Sequence, residues 1–218
     1  FQNFVYQRAD DNGNLHTLSI SGRPMFDEEG RFTGYRGTGT DITEQKALEA
    51  QLQRLAEVDI LTGLPNRALF NDRLTSALAR GRRHGSSVAL LLLDVDYFKQ
   101  INDSLGHDAG DAVLQEFARR LLETVRLSDT VARLGGDEFT IILEELHSAG
   151  EAKMIAAKVV AAMARDFVYA GQSFRVTTSV GVAYLGQPQL EEPARLIKLA
   201  DQALYAAKAA GRNNYQLA

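Results

Sequence analysis

The feature that most constrains the fold is an apolar run at residues 88–93, Val-Ala-Leu-Leu-Leu-Leu, which ends abruptly in Asp94 and Asp96. The run is far shorter than the ~20 residues that a membrane-spanning helix needs, and it predicts a β-strand. In an α/β fold such a strand carries the carboxylates that follow it to its carboxyl edge, where ligands commonly bind. The run therefore predicts a strand and, at its end, the place of a site.

Around this strand, the chain from residue 59 onward alternates helical and strand patterns. One predicted helix begins after Asn66, and three more cover residues 108–125, 150–165 and 193–210. The predicted strands cover residues 130–133, 139–143 and 174–184, and a Gly135-Gly136 turn joins the first two in a hairpin. Because a hairpin is incompatible with an all-parallel sheet, the pattern predicts an α/β (α+β) fold with a mixed central sheet flanked by helices.

Residues 1–41 have a different sequence pattern from the rest of the chain. Their aromatic and aliphatic residues are separated by Asp-Asn-Gly at 11–13 and Glu-Glu-Gly at 28–30, which predicts a three-stranded antiparallel meander. Such a sheet has one apolar face that needs a partner. Gly-Thr-Gly at 37–39 lacks the third glycine of a dinucleotide-binding fingerprint, since position 42 is Ile. Asp41 with Glu44 instead resembles a capping box that starts a helix.

The helix predicted over residues 42–58 carries Leu48, Leu52 and Leu55 at coiled-coil spacing. Two interpretations are open: a dimer-forming signalling helix, or an amphipathic linker that packs on its own domain. The chain is thus divided into a sheet at 1–41, a linker helix at 42–58 and an α/β domain at 59–218.

Composition excludes several classes of function. The net charge of −4 provides no bulk basic field, so we expect no nucleic acid polymer as a partner and no direct membrane contact. The chain has no Cys, which excludes disulfides, thiolate catalysis and iron–sulfur clusters and favours a cytoplasmic location. Its four His share no ligand spacing. Phe1 in place of an initiator Met favours a piece of a longer protein, which could carry a membrane anchor upstream.

Two acidic clusters carry the candidate chemistry. Asp94 and Asp96 end the apolar strand, and Asp137 and Glu138 follow the Gly-Gly turn. Taken alone, the first pair could end a strand in solvent, and the second could belong to an ordinary hairpin. If the hairpin lies beside the strand, three or four carboxylates converge, which is tolerable only with metal ions between them. Hard carboxylate oxygens suit Mg²⁺.

With these clusters in view, the chain resembles the GGDEF family, the diguanylate cyclases that condense two GTP into cyclic di-GMP. The signature is Leu-Gly-Gly-Asp-Glu-Phe at 134–139. Further motifs of the family match in the same order, at residues 59–67, 94–103, 106–111, 200–208 and 211–213. If 200–208 and 211–213 are counted as one closing motif, the signature and the others make five separated motifs in the correct order, which is very improbable by chance.

The resemblance implies a metal site. Asp94 and Asp137 would bind divalent metal together with the Val95 carbonyl, and Glu138 would assist at a second ion. The implied cofactor is Mg²⁺ or Mn²⁺, with two ions in each active site, since two metals can clamp the attacking and leaving oxygens of phosphoryl transfer. Asp137 would be the base for the 3′-hydroxyl, with Glu138 able to share that role.

The resemblance also implies a nucleotide site. Asn102 and Asp111 would bind the guanine edge, because an Asp that accepts from the N1 and N2 donors selects guanine over adenine. The backbone amides of Tyr97 and Phe98 could cradle phosphate oxygens. The cations for the phosphates and for transition-state charge would be Lys99, Lys208 and Arg212. Since Lys208 and Arg212 are four residues apart, we expect them to share a helix face.

Residues 126–129, Arg-Leu-Ser-Asp, match the family's inhibitory product site, in which Arg126 and Asp129 would grip the guanine of cyclic di-GMP. The alternative is that Arg126 and Asp129 are an ordinary surface pair at a helix end with no role in binding. Arg133 could face phosphate or only solvate a strand edge, and we assign it no role.

The first 41 residues, with the motif Gly-Thr-Gly-Thr-Asp-Ile-Thr-Glu at 37–44 that leads into the helix, are similar to the last three strands and exit motif of a PAS sensor domain. We predict a PAS-linked diguanylate cyclase that takes GTP, works as a homodimer and is inhibited by its product cyclic di-GMP. The alternatives are a non-catalytic receptor for GTP or cyclic di-GMP, and a purely structural dimerisation module, which leaves the carboxylates unexplained.

Overall fold

The computed structural model describes residues 1–186 and 193–218, with only the helical backbone described at residues 50, 54 and 55. The chain forms two compact units, residues 1–55 and residues 56–218. In the described residues, no helix is both long and apolar enough to cross a bilayer.

The first unit is a three-stranded antiparallel sheet followed by a helix. Its strands are β1 (Phe4–Ala9), β2 (Leu15–Phe26) and β3 (Phe32–Asp41), in the order β1-β2-β3, and the helix is α1 (Thr43–Glu57). The predicted meander is therefore confirmed. The Asp41 carboxylate accepts hydrogen bonds from the Thr43 amide at 2.9 Å and the Thr43 hydroxyl at 2.6 Å, which fixes the start of α1.

The second unit contains the remaining elements. Its helices are α2 (Arg67–His84), α3 (Phe98–Leu105), α4 (His107–Thr124), α5 (Ala149–Met163) and α6 (Pro193–Ala209). Its strands are β4 (Ser87–Val95), β5 (Thr130–Gly135), β6 (Glu138–Leu146), β7 (Phe167–Tyr169), β8 (Gln172–Phe174), β9 (Thr178–Leu185) and β10 (Tyr215–Leu217). The main sheet has the order β10-β9-β4-β6-β5, in which β10 is parallel to β9 and the other pairs are antiparallel. The predicted mixed sheet flanked by helices is confirmed.

Strand β4 lies at the centre of this sheet because its apolar run can be buried on both faces. Leu91 and Leu93 pack with α4 and α5 in one core. Leu90 and Leu92 pack with α2 and α6 in the other. Each fully buried Leu contributes on the order of 1.5–3 kcal/mol of hydrophobic free energy, so the run holds both layers to the sheet.

The predicted strand 174–184 is wrong in its first part. Residues up to Phe174 belong to the separate β7–β8 hairpin, and β9 begins only at Thr178. The chain leaves the ladder between them, where the Thr177 carbonyl accepts from the Asp96 amide at 2.9 Å and its hydroxyl donates to the Asp96 carboxylate at 2.7 Å. Helix α3 and strand β10 were not predicted, because both are too short to show a clear period.

Candidate active site

The end of β4 and the Gly-Gly turn lie side by side, which is the arrangement under which we expected the carboxylates to converge. Asp94 is paired across the ladder with Glu138, and the Val95 amide donates to the Asp137 carbonyl at 3.3 Å. Gly135 and Gly136 have φ values of 138° and 54°, conformations that side chains disfavour, so the tight turn requires glycine at both positions. The turn thereby places Asp137 and Glu138 next to the end of β4.

Cations, rather than carboxylates alone, surround these acidic groups. The Lys208 ammonium lies 2.6 Å from the Asp94 carboxylate, and the Arg67 guanidinium lies 3.4 Å from that of Glu138. Burial raises the pKa of Asp94; Lys208 opposes the shift, and the charges of Asp137 and Asp96 add to it. Asp94 is therefore a half-buried carboxylate in an acidic environment, with one lysine compensating.

The expected convergence of three or four carboxylates is wrong for the side chains as they lie here. In residues 1–186 and 193–218, no group of three or more His, Cys, Asp or Glu side chains could hold one metal ion. The physical reason is that Lys208 and Arg67 draw Asp94 and Glu138 into ion pairs. The donor set still fits Mg²⁺ or Mn²⁺, because such ions take hard oxygens and need only one or two protein carboxylates besides substrate phosphates.

Asp96 lies two residues beyond Asp94 and has a different role. Its side chain is 3% exposed. Its carboxylate accepts from the Thr177 hydroxyl at 2.7 Å, the Ser179 hydroxyl at 2.7 Å and the Asn213 amide at 3.1 Å. It thus ties the end of β4 to the start of β9 and to the loop after α6. The sequence contained no signal that separates this Asp from its neighbour.

The residues predicted to bind guanine lie on two helices, α3 and α4, that contact each other. Tyr97 has a left-handed conformation (φ 58°) and turns the chain into α3, whose first amides belong to Phe98 and Lys99. Asn102 lies further along α3, and its amide packs against Gly110 of α4. Because Asp111 follows Gly110 directly, Asn102 and Asp111 lie on neighbouring helices at their contact.

The phosphate-binding cations are distributed differently from the prediction. Lys99 is exposed in the first turn of α3, and Lys208 reaches Asp94 from the last turn of α6. Arg212 lies beyond the end of α6 with φ 62°, so it does not share a helix face with Lys208. Its guanidinium stands over the Tyr97 ring, 4.8 Å from the centroid. The shared-face expectation fails because the chain turns into the left-handed region before Arg212 can continue the helix.

Arg133, to which the sequence analysis assigned no role, links Asp59, in the motif at residues 59–67, to the Gly-Gly turn. Its guanidinium donates to both carboxylate oxygens of Asp59, at 2.9 and 3.1 Å, and to the Gly136 carbonyl at 3.0 and 2.7 Å. Only 10% of the Arg133 side chain is exposed. The pair therefore anchors the turn that presents Asp137.

Gly181 positions α6 and was missed in the sequence. A Cβ at Gly181 would lie 2.1 Å from the Ala200 carbonyl oxygen and 2.2 Å from the Leu204 amide nitrogen. Helix α6, which carries Lys208, can lie this close to β9 only because the strand has a glycine there. A glycine inside a strand is the signal that could have found it, since it often marks a close backbone approach.

Arg126 and Asp129 lie in the turn before β5. The Asp129 carboxylate accepts from the Arg126 amide at 3.0 Å and from the Glu144 amide at 3.4 Å, while the Arg126 side chain is exposed. Burial raises the pKa of Asp129. The two residues are adjacent in space, but the Asp129 carboxylate is engaged with backbone amides rather than with the Arg126 guanidinium.

Comparison with known proteins agrees with this geometry. The family model described as "Diguanylate cyclase, GGDEF domain" matches residues 56–214. The chain is 42% identical over 170 residues to the diguanylate cyclase TpbB of Pseudomonas aeruginosa, covering 78% of this chain and 39% of that protein. It is also 42% identical over 163 residues to the response regulator PleD of Caulobacter vibrioides, covering 73% of this chain and 35% of that protein. The chain thus spans about two fifths or less of the length of these relatives.

Solved structures show the same similarity. The GGDEF domain of TpbB (YfiN) from Pseudomonas aeruginosa matches with a TM-score of 0.71 and 42% identity, covering 74% of this chain and 94% of that one. The coiled coil and GGDEF domain of DgcB from Caulobacter crescentus, in complex with c-di-GMP, matches with a TM-score of 0.74 and 30% identity, covering 81% of this chain and 93% of that one. The acidic strand end, the Gly-Gly-Asp-Glu turn and these matches together show that the chain belongs to the GGDEF family of diguanylate cyclases.

Proposed function

We propose that this chain condenses two GTP into cyclic di-GMP with release of two pyrophosphates. In each of two equivalent steps, the 3′-oxygen of one GTP forms a bond to the α-phosphorus of the other, the bond to pyrophosphate breaks, and the 3′-hydroxyl proton goes to a base. The observation that carries the proposal is the position of Asp94 beside the Gly-Gly-Asp-Glu turn, with Lys208 at 2.6 Å.

Asp94, Asp137 and the Val95 carbonyl would hold divalent metal, with Glu138 assisting at a second ion. When bound, Mg²⁺ or Mn²⁺ would neutralise phosphate charge and stabilise the charge that develops during phosphoryl transfer. A cation there is favoured by the local electrostatics, because neighbouring carboxylates and burial both oppose an uncompensated charge on Asp94. Two ions in each active site is our working proposal.

The protein's own groups bind and orient the nucleotide. Asn102 and Asp111 would bind guanine, and the first amides of α3, including that of Phe98, would receive phosphate oxygens. Lys99, Lys208 and Arg212 would supply positive charge to the triphosphate. Asp137, with Glu138 sharing the role, would take the proton of the 3′-hydroxyl. Lys208 would have to exchange Asp94 for phosphate when substrate enters.

Two copies of the chain are needed if each domain holds one GTP and each hydroxyl attacks the partner's nucleotide. Leu48 and Leu52 are 56% and 58% exposed on α1, as a dimer-forming seam requires, while the side chain of Leu55 lies outside the described residues. The solved DgcB fragment is named for a coiled coil with its GGDEF domain. We therefore propose a homodimer joined through α1.

The remaining organisation is proposed on the same basis. Residues 1–41 would be the last strands of a PAS domain, residues 42–58 a signalling helix and residues 59–218 the cyclase domain. The antiparallel sheet supports the first assignment by its topology alone. A cytoplasmic location for the cyclase domain stays a prediction.

Product inhibition would use Arg126 and Asp129, with the exposed Arg126 guanidinium available to a guanine base. In Arg126→Ala we expect cyclic di-GMP to inhibit about tenfold more weakly, because a charged hydrogen-bonding group is removed from the product site. Initial rates at increasing cyclic di-GMP give the inhibition constant. Inhibition equal to that of the parent protein would remove these residues from the product site.

The activity test is incubation with GTP and Mg²⁺ followed by chromatography of the nucleotides. We expect cyclic di-GMP and pyrophosphate in a 1:2 ratio from the parent chain, and unchanged GTP with Asp137→Asn. Bound but unchanged nucleotide with the parent chain would favour the receptor alternative. Neither binding nor product would favour a dimerisation module.

A further inference from the structure

Gly110, in the first turn of α4, lies at the closest approach of α3 and α4. A Cβ built on Gly110 would lie 1.9 Å from the Oδ1 atom of Asn102 and 3.2 Å from the Cζ atom of Phe98. The first distance is shorter than two non-bonded atoms can approach, and the second is tight. The space that a side chain at 110 would need is therefore already taken by the amide of Asn102.

The backbone of α4 does not itself require glycine at this position. Gly110 does not have the left-handed conformation, and its amide donates to the Gly106 carbonyl at 3.3 Å at the start of the helix. Inside a helix, glycine is about 1 kcal/mol less favourable than alanine. Because the local conformation does not favour glycine here, the contact across to α3 is the physical reason for it.

The contact has one consequence for the nucleotide site. Phe98 and Asn102 are four residues apart on α3, so both face the same side of that helix and both pack at Gly110. Asp111 follows Gly110 in the chain. The absence of a side chain at 110 therefore leaves the Asn102 amide its space beside the backbone that leads directly to Asp111.

We propose that Gly110 is a positioning residue for guanine recognition, which acts by leaving the space that the Asn102 amide occupies. The inference rests on the proposed function, in which Asn102 and Asp111 bind the guanine base, and it deepens that assignment. A methyl group at 110 displaces the Asn102 amide rather than either helix, because the amide is the end of a flexible side chain. Base recognition is then lost while the fold is kept.

The test compares binding of α,β-methylene analogues of GTP and ATP, which cannot release pyrophosphate, to the full chain by calorimetry with Mg²⁺. Both analogues share the triphosphate, so a loss confined to the guanine analogue reports base recognition. In Gly110→Ala we expect the guanine analogue to bind about tenfold more weakly, the cost of one hydrogen-bonding group left unmatched. The affinity of Gly110→Ala for the adenine analogue should stay within about twofold of that of the parent chain, because changes at independent sites affect each other by no more than about this factor.

Three further variants complete the experiment. Gly150→Ala in α5 is the matched control, since a Cβ there meets only the Ser148 hydroxyl at 3.3 Å, and it should leave both affinities unchanged. Asn102→Ala removes the group through which Gly110 acts. In Asn102→Ala/Gly110→Ala, the second change should therefore alter guanine-analogue affinity by less than about twofold relative to Asn102→Ala.

The outcomes separate this inference from the proposed function. A parent chain that does not prefer the guanine analogue would remove the guanine assignment and the inference with it. If the parent chain does prefer the guanine analogue, three results for Gly110→Ala would overturn the inference alone. These are equal losses of affinity for both analogues, no loss of affinity, and a loss that persists in the Asn102→Ala background. If Gly110→Ala fails to fold, a folded double variant supports the contact with Asn102, and an unfolded one contradicts it.

Discussion

Two carboxylate regions at the end of β4 have the same sequence character and opposite physical environments. In the first region, Asp94 faces one lysine amid other acidic groups, and burial raises the pKa of its carboxyl. In the second, Asp96 is buried and accepts three hydrogen bonds from β9 and from the loop after α6. The first carboxylate is compensated by one lysine, whereas the second is satisfied by three hydrogen bonds.

The difference teaches how to assign roles to neighbouring acidic residues. A carboxylate whose acceptors are filled by the protein stabilises the fold, because each buried donor would otherwise lose its partner. A carboxylate held in an acidic environment by one exchangeable lysine costs free energy in the absence of substrate, as functional groups often do. When each is changed to the isosteric amide, the change at Asp94 should therefore lower turnover, and the change at Asp96 should lower the free energy of unfolding.

The largest expected effect is on turnover in Asp94→Asn. We expect cyclic di-GMP formation to fall about 10³-fold or more, because metal-assisted charge stabilisation is worth several kcal/mol. Urea unfolding should change by about 1 kcal/mol or less, since the amide keeps the shape of the side chain. Substantial turnover in this variant would contradict the metal assignment.

Asp96→Asn should show the reverse order of effects. The amide removes the negative charge that strengthens the hydrogen bonds from the Thr177 and Ser179 hydroxyls and the Asn213 backbone amide, so we expect about 2 kcal/mol of destabilisation in urea unfolding. Asp72→Asn, an exposed change on α2, is the matched control and should alter stability by less than about 0.5 kcal/mol. If Asp96→Asn is as stable as the control, the two regions do not differ as described.

Arg133→Met extends the comparison to a third carboxylate, Asp59, by removing the cation that pairs with it. We expect about 2 kcal/mol of destabilisation, because Asp59 and the Gly136 carbonyl lose a partly buried partner. Burial raises the pKa of Asp59, but hydrogen bonds from Thr62 and Arg133 outweigh it and leave the pKa lowered.

A lowered carboxyl pKa fixes the sign of the pH effect on Asp59. Its contribution to stability is present above the unfolded value of about 4 and is lost as pH falls through the lower folded pKa. Unfolding free energies measured between about pH 5 and pH 3 should fall more steeply for the parent chain than for Arg133→Met. Parallel profiles would show that Arg133 does not set the pKa of Asp59.

The smallest expected effect concerns Asp41, an exposed carboxylate in the first unit. Its hydrogen bond to His16, at 2.7 Å between Nδ1 and Oδ2, raises the pKa of that histidine. The stabilisation is therefore complete below the usual value of about 6.5 and is lost as pH rises through the folded pKa. NMR titration of the His16 ring should show the raised pKa, and Asp41→Asn should lower it; an unchanged titration would contradict the pairing.

Much of the fold could be predicted because the signals are local. The apolar run at 88–93 has few alternatives to a central strand, and two glycines before Asp137 have few alternatives to a tight turn. The longer helices are indicated by their apolar residues, whereas the short α3 is not. The strand at 174–184 was misjudged because its first residues are equally suited to a hairpin, and only the contact between Thr177 and Asp96 shows where the chain leaves the ladder.

The candidate site was predictable in its residue types but not in its partners. Lys208 and Arg212 were expected to act together, yet one pairs with Asp94 and the other stacks on Tyr97. Arg133 had no assigned role until the structure placed it between Asp59 and Gly136. Such partnerships join residues many positions apart, and no period or spacing encodes them.

The sequence by itself determined the apolar centre of the sheet, the acidic strand end and the turn beside it, because each depends on residues that are neighbours in the chain. Only the tertiary structure decided that Asp94 forms an ion pair with Lys208 while Asp96 accepts three hydrogen bonds. It also decided that the missing side chain at Gly110 leaves space for the Asn102 amide. These outcomes depend on which donors and which side-chain volumes other elements bring to each residue. Burial, charge compensation and steric fit are properties of the packed chain, and they divide chemically identical residues into those that hold the fold and those that are available for function.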